Sequence, residues 1–83
     1  MTIHVRLFAA IRESLGREQV DLTLAQGATP EDAWQELLRL DPTGALAARR
    51  ATLAAAVNRK YAKFDAALSD GDEVVFIPPV SGG

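Results

Sequence analysis

The residue types best suited to chemistry stand at the end of the chain, in the segment Pro78-Pro79-Val80-Ser81-Gly82-Gly83. Fully extended, these residues reach about 20 Å, at roughly 3.3–3.6 Å per residue. The two prolines stiffen the base of the segment, and the small residues at its tip can pass through a narrow channel. We therefore expect this tail to be inserted into a partner's active site, with the terminal carboxylate of Gly83 as the reacting group.

A terminal carboxylate is a poor acyl donor at neutral pH, so Gly83 must first be activated, most simply as an acyl-adenylate formed from ATP. The chain has no Gly-rich phosphate loop of the G-x-x-x-x-G-K-[ST] type and no carboxylate cluster evidently placed to hold Mg²⁺. We expect this chain to bind no cofactor itself, and ATP and Mg²⁺ to be used by a separate activating enzyme.

Other classes of site are disfavoured by the composition. The chain has no cysteine, which excludes a disulfide framework, a Cys-based zinc site and a thiol nucleophile. Its single histidine, His4, has no second His or Cys to complete a metal site, and we interpret it as a solvated strand residue. We interpret Asp70, Asp72 and Glu73 as turn and surface residues. No metal site is expected.

Length and charge restrict the class of protein. A chain of 83 residues supports one small domain, which leaves little room for a deep catalytic cleft. The net charge is −2 without a basic stripe, which argues against nucleic-acid binding. No apolar run approaches the ~20 residues that span a bilayer, and no secretory signal pattern follows Met1. We expect a cytoplasmic protein without membrane contact.

The elements that must position the tail show clear periodicity. Alternation predicts strands over Thr2–Phe8, with Ile3, Val5 and Leu7 on one face and Phe8 on the wetter face, and over Gln19–Leu24. The two strands form a wide hairpin, whose connection, residues 9–16, has a mixed pattern.

A helix is predicted to begin at Thr29, whose hydroxyl can cap it, with Pro30 at its first position. Its apolar stripe ends before Asp41-Pro42 and consists of Ala33, Trp34, Leu37, Leu38 and Leu40, with Trp34 as a core anchor. Residues 44–53 are rich in Ala and Arg and predict a short second helix without fixed boundaries.

Two further strands are predicted near the end of the chain. The first, Ala54–Val57, is stopped by Asn58, and the second, Glu73–Ile77, follows an Asp-Gly-Asp turn and is apolar enough for a central place beside the first strand. The order predicts an α+β fold of β-grasp type, a mixed sheet carrying one main helix. A ferredoxin-like fold is disfavoured because it requires two well-formed helices between strands. We assign residues 1–77 to the domain and residues 78–83 to an extended tail.

Three sequence blocks resemble a known family, the small subunits of molybdopterin synthase, which are ubiquitin-like sulfur carriers of prokaryotes. The blocks are Leu7-Phe8-Ala9-Ala10-Ile11-Arg12-Glu13, Ala56-Val57-Asn58 and, most specifically, Leu68-Ser69-Asp70-Gly71-Asp72-Glu73-Val74-Val75-Phe76-Ile77-Pro78-Pro79-Val80-Ser81-Gly82-Gly83. The likeness covers nearly the whole chain and is thinnest over residues 42–53.

The resemblance implies that Gly83 is adenylated by a ubiquitin-activating-like enzyme and converted to a thiocarboxylate with sulfur from a donor protein. It further implies a heterotetramer of two small and two large subunits, in which the sulfur passes to cyclic pyranopterin monophosphate to build the molybdopterin dithiolene. The chain alone would then be no enzyme. The alternatives are a carrier for thiamine thiazole or tRNA thiolation, and a protein modifier whose Gly83 ends in an isopeptide bond.

A docking patch for the partner is expected near the tail. Aromatic residues and Arg are enriched at interface anchors. The candidate interface residues are Phe8, Arg12, Tyr61 and Ile77.

Overall fold

A computed structural model describes residues 1–78 of the chain. These residues form five strands: β1 (Thr2–Arg6), β2 (Gln19–Thr23), β3 (Ala54–Val57), β4 (Lys60–Ala62) and β5 (Glu73–Ile77). They form one mixed sheet of order β2-β1-β5-β3-β4. The central pair, β1 and β5, is parallel, and the remaining pairs are antiparallel.

The helical elements are α1 (Ala9–Leu15), α2 (Pro30–Leu40) and a 3₁₀ helix (Ala45–Thr52). The longest, α2, packs on one face of the sheet through the shared core. The predicted β-grasp arrangement, with β5 beside β1 at the centre of the sheet, is therefore confirmed. No helix within residues 1–78 has the length and apolar character needed to cross a bilayer.

The start of α2 follows the predicted chemistry. The Thr29 hydroxyl accepts a hydrogen bond from the backbone N–H of Asp32 at 3.2 Å, and the Asp32 carboxylate accepts one from the Thr29 N–H at 2.9 Å. This reciprocal capping box satisfies two N–H groups that a helix start leaves without partners. Pro30 occupies the first helical position, where its missing N–H costs nothing.

The core lies between α2 and the sheet. The Trp34 ring packs edge-on against Phe76 of β5, with 5.1 Å between the ring centroids, and both side chains are fully buried. Inward-facing residues of the strands complete this core, among them Ile3, Val5, Val20, Leu22, Ala55 and Val74. Trp34 and Leu37 are thus core residues, as predicted.

Leu40 departs from the predicted apolar stripe. Its side chain is 47% exposed, whereas Leu37 is completely buried. Because Leu40 is the last residue of α2, no following turn covers it. It lies beside a small cavity of about 190 Å³ that Leu15 and Val20 also line.

Two elements were not predicted. Helix α1 occupies the connection between β1 and β2, and among its residues only Ile11 is fully buried. Strand β4 follows β3 through a two-residue turn in which Asn58 and Arg59 both have positive φ, 50° and 70°. A turn with two such residues matches the twist of an antiparallel hairpin. Asn58 ends β3 as expected.

The segment 44–53, whose sequence pattern is weak, contains the 3₁₀ helix, and Arg50 holds this helix against the core. The Nε and Nη2 atoms of Arg50 each lie 2.9 Å from Oε1 of Glu31 at the start of α2. Its guanidinium also covers the ring of Phe64, which stacks on Phe76 with 5.9 Å between centroids. One arginine therefore holds the 3₁₀ helix against both α2 and the aromatic core.

Candidate functional site

The predicted tail leaves the middle of the sheet. Strand β5 ends at Ile77 between β1 and β3, and Pro78 follows as an exposed residue. Pro78 cannot donate an N–H, which suits a residue that ends the ladder. The other predicted tail residues lie outside the described residues: Pro79, Val80, Ser81, Gly82 and Gly83.

Within residues 1–78, the buried residues of all three helical elements belong to the core on one face of the sheet, and we call the opposite face the open face. Outward-pointing residues of the five strands stand in register across it. Arg6 pairs with Gln19 on β2 and with Val75 on β5, Val75 with Ala56, and Ala56 with Tyr61. This row is polar at its β2 edge and apolar from β5 onward. The open face thus contains an apolar patch beside the base of the tail.

Phe8 is the largest apolar side chain at this end of β1. It is 45% exposed, as the alternation predicted. The parallel ladder aligns Arg6 with Val75. Phe8 follows Arg6 by two residues and is the N-cap of α1, and Ile77, which is half-buried, follows Val75 by two residues on β5. Phe8 and Ile77 therefore lie at the same end of the central strand pair, where the tail begins.

The other two candidate interface residues lie further away. Arg12 is exposed on α1, one turn after Phe8, and its N–H donates to the Phe8 carbonyl at 3.3 Å. Tyr61 is 79% exposed on β4, two strands from β5. The open face therefore carries Phe8, Ile77 and Tyr61, while Arg12 flanks it.

Sequence reasoning did not identify two further residues of the open face near the tail, Val75 in the apolar patch and Arg6 at its border. The Arg6 guanidinium carbon lies 5.8 Å from the centroid of the Phe8 ring, within the range of a cation–π interaction. The signal was available, because alternation along β1 places Arg6 and Phe8 on the same face.

The opposite end of the open face is polar. His4 Nδ1 lies 2.8 Å from Oδ1 of Asp21, which also accepts a hydrogen bond from Gln19 at 2.9 Å. The hydrogen bond from His4, followed by that from Gln19, lowers the pKa of the Asp21 carboxyl. Glu73 stands in register with His4 on its other side. His4 is a surface strand residue, as predicted, with a carboxylate partner.

The acidic turn before β5 serves the backbone. Asp70 Oδ1 accepts from the Thr2 N–H at 2.7 Å, and Asp72 Oδ2 accepts from the Ser69 N–H at 2.8 Å. Asp72 also accepts from the Asn58 side chain at 2.9 Å. These bonds fix the start of β5 and support the interpretation as turn residues. Among residues 1–78, no group of three or more His, Asp or Glu side chains is placed to hold a metal ion.

Comparisons with known proteins identify a family and several relatives that match nearly the whole chain. The model of the ThiS family matches residues 5–83. A molybdopterin synthase sulfur carrier subunit of Escherichia coli (strain K12) is 41% identical, covering 98% of this chain and 99% of the relative. The protein of the same name from Chlamydomonas reinhardtii is 39% identical, and each chain is covered completely.

Among solved structures, the crystal structure of small archaeal modifier protein 1 from Haloferax volcanii matches with a TM-score of 0.79 and 25% identity. The match covers 95% of this chain and 98% of that chain. The sequence is thus similar to sulfur carrier subunits of molybdopterin synthase, and the fold is similar to that of a small archaeal modifier protein.

Proposed function

The chain belongs to the ThiS family, and from this premise we propose that it is the sulfur-carrier subunit of a molybdopterin synthase. The observation that carries the proposal is the end-to-end similarity to the Escherichia coli protein of that name. The open face supports it, because an apolar patch lies where the central strand gives way to the segment that ends in Gly83.

The chemistry follows from the carboxylate of Gly83. Its oxygen attacks the α-phosphorus of ATP, which releases pyrophosphate and leaves an acyl-adenylate. A sulfide equivalent from a sulfur donor protein then displaces AMP and leaves a thiocarboxylate. An adenylyltransferase of the ubiquitin-activating type supplies the ATP and Mg²⁺ site, and this chain supplies only the acyl group.

The thiocarboxylate is then used in a complex with the large subunit of the synthase. There its sulfur passes to cyclic pyranopterin monophosphate to build the dithiolene of molybdopterin, and hydrolysis restores the carboxylate. Each product needs two sulfur atoms, so each large subunit must receive two loaded carriers in turn. The family resemblance implies an assembly of two small and two large subunits. The chain alone is no enzyme, and we place its work in the cytoplasm.

The direct test is intact mass after incubation with the activating enzyme, ATP and a sulfur donor. We expect one oxygen to be exchanged for sulfur, with the change in the C-terminal peptide. A variant lacking Gly83 should not support molybdopterin synthesis, and Gly82→Phe should block transfer in the complex while leaving urea unfolding unchanged. Sulfur found elsewhere, or synthesis by the variant lacking Gly83, would refute the proposal.

A second candidate function is protein modification, favoured by the similarity to small archaeal modifier protein 1. The activated Gly83 would then be joined to a lysine amine as an isopeptide, with loss of AMP. Incubation with the activating enzyme, ATP and a lysate separates the two functions, because only a modifier yields isopeptide-linked peptides by mass spectrometry. Carriers for thiazole or tRNA thiolation share the first steps and are distinguished by reconstitution with the large subunit.

A further inference from the structure

Arg6 lies at the end of β1, at the border between the polar and the apolar part of the open face. On one side it is in register with Val75 and, beyond it, with Ala56 and Tyr61. Phe8 follows two residues after Arg6, just beyond the end of β1, and is exposed. The positive charge of Arg6 therefore stands at the border of the surface that, under the proposed function, the large subunit covers.

The charge of Arg6 is not matched within the described part of the chain. The ion pairs among residues 1–78 are His4 with Asp21, Arg39 with Glu36 and Arg50 with Glu31. Arg6 itself is in register with Gln19 and Val75, and the carboxylates of Asp21 and Glu73 stand two residues back, in register with His4. Asp21 is engaged by His4 and Gln19, and neither carboxylate forms an ion pair with Arg6. The Phe8 ring lies within cation–π range of the guanidinium, 5.8 Å from its carbon to the ring centroid.

Covering this patch removes water from Arg6. A charge that loses its water without gaining a partner is costly, whereas a guanidinium paired with a carboxylate makes strong, directional hydrogen bonds. The Phe8 ring, 5.8 Å from the guanidinium carbon, attracts the guanidinium to this part of the face, so that less freedom is lost when a partner binds it. A partner without an acid opposite Arg6 is therefore penalised.

We propose that Arg6 is a specificity-determining residue of the open face, and that the protein docking there presents a carboxylate within an apolar surface to the Arg6 guanidinium. The inference rests on the proposed function, which makes that partner the large subunit. It adds the chemistry by which this carrier and its own large subunit would recognise each other.

The test is the affinity of the purified large subunit for variants of the full-length carrier, measured by calorimetry. Arg6→Ala should weaken binding about tenfold or more, as for a charged interface anchor. Arg6→Lys should lose less, because the charge remains. Arg6→Glu should lose most, and its loss should shrink as salt rises. The matched control is Arg49→Ala, which removes an exposed arginine from the 3₁₀ helix and should change affinity less than about twofold.

Arg6→Leu separates the proposal from a purely apolar interface. If a carboxylate lies opposite, leucine leaves it unpaired and binding weakens. If the partner is apolar there, leucine binds as tightly as arginine or more tightly, which would overturn the inference.

Failure of the inference differs from failure of the proposed function. If the wild-type carrier binds the large subunit and the Arg6 variants bind it with equal affinity, the role of Arg6 is refuted and the proposed function is not. A wild-type carrier that neither accepts sulfur nor binds the large subunit removes both. Thermal unfolding of each variant identifies any that do not fold, and Arg6→Lys then carries the comparison.

Discussion

The guanidinium carbon of Arg50 lies 3.4 Å from the centroid of the Phe64 ring. The same side chain contacts Glu31, so a single residue joins the 3₁₀ helix, the start of α2 and the ring next to Phe76. Its position explains how a segment with a weak sequence pattern acquires a fixed place.

Replacing Arg50 with alanine should lower the free energy of unfolding by about 1–2 kcal/mol, because a cation–π contact and an ion pair are lost together. Urea unfolding measures the change. Arg49→Ala, at the preceding exposed residue, is the control and should cost less than about 0.5 kcal/mol. Equal losses for the two variants would show that the contacts of Arg50 do not stabilise the fold.

Glu31 should make part of this stabilisation depend on pH. The hydrogen bond from Arg50, aided by Gln35, holds its pKa below the ordinary value of 4.5, against the opposing effect of burial. The contribution is therefore fully present above pH 4.5 and is lost as the pH falls through the folded-state pKa. Because the two side chains are 33% and 39% exposed, we expect less than about 1 kcal/mol.

The measurement is the difference in unfolding free energy between the wild type and Glu31→Gln at several pH values. This difference should be largest near neutral pH and should shrink in acid. A difference that stays constant from pH 7 to about pH 3 would contradict the assignment.

Leu37→Ala should lower the free energy of unfolding by about 2–5 kcal/mol, because a completely buried leucine leaves a cavity. Leu40→Ala, on the same helix with its side chain 47% exposed, should cost much less. Urea denaturation of both variants checks the prediction. A loss below about half a kcal/mol at Leu37 would mean that the apolar stripe does not anchor the helix.

Phe8→Ala should weaken association with the large subunit by more than about 1 kcal/mol, as expected for an aromatic interface anchor. Leu40→Ala is a matched control, because Leu40 is about as exposed as Phe8 but lies on α2, away from the open face. Calorimetry measures both. If Phe8→Ala binds like the wild type, Phe8 is not part of the interface.

His4→Ala should raise the pKa of Asp21 toward its ordinary value, because the hydrogen bond from His4 is the largest cause of its lowering. Gln19→Ala should raise it less. Carboxyl-carbon chemical shifts followed by NMR during titration report both values. An unchanged Asp21 pKa in His4→Ala would show that the pair does not persist in solution.

The elements predicted from sequence are those whose signals are local. Alternation predicted that Phe8 is exposed, although β1 ends before it at Arg6. Thr29 with Pro30 marked the helix start, because strand periodicity and capping depend on neighbouring residues. Helix α1 was missed because it buries little besides Ile11. Strand β4 was missed because three residues are too few to show a period.

The features that could not be predicted join distant parts of the chain. Tyr61 was a candidate from its residue type, but its place on the open face depends on the register of β4 with β3. The pairing of Arg50 with Glu31 joins two segments that carry no mutual signal in a single sequence. Gly83, the residue proposed to react, was identified from the sequence and lies outside the described residues.

The central place of β5 ties folding to synthesis of the chain. Without β5, β2–β1 and β3–β4 are two separate two-stranded ribbons, which are at best marginally stable in water. Strand β5 is synthesised after the other four strands, so the sheet cannot be completed until translation has passed Ile77. We therefore expect a chain that ends before β5 not to form the open face, because the strand that joins its two halves is missing.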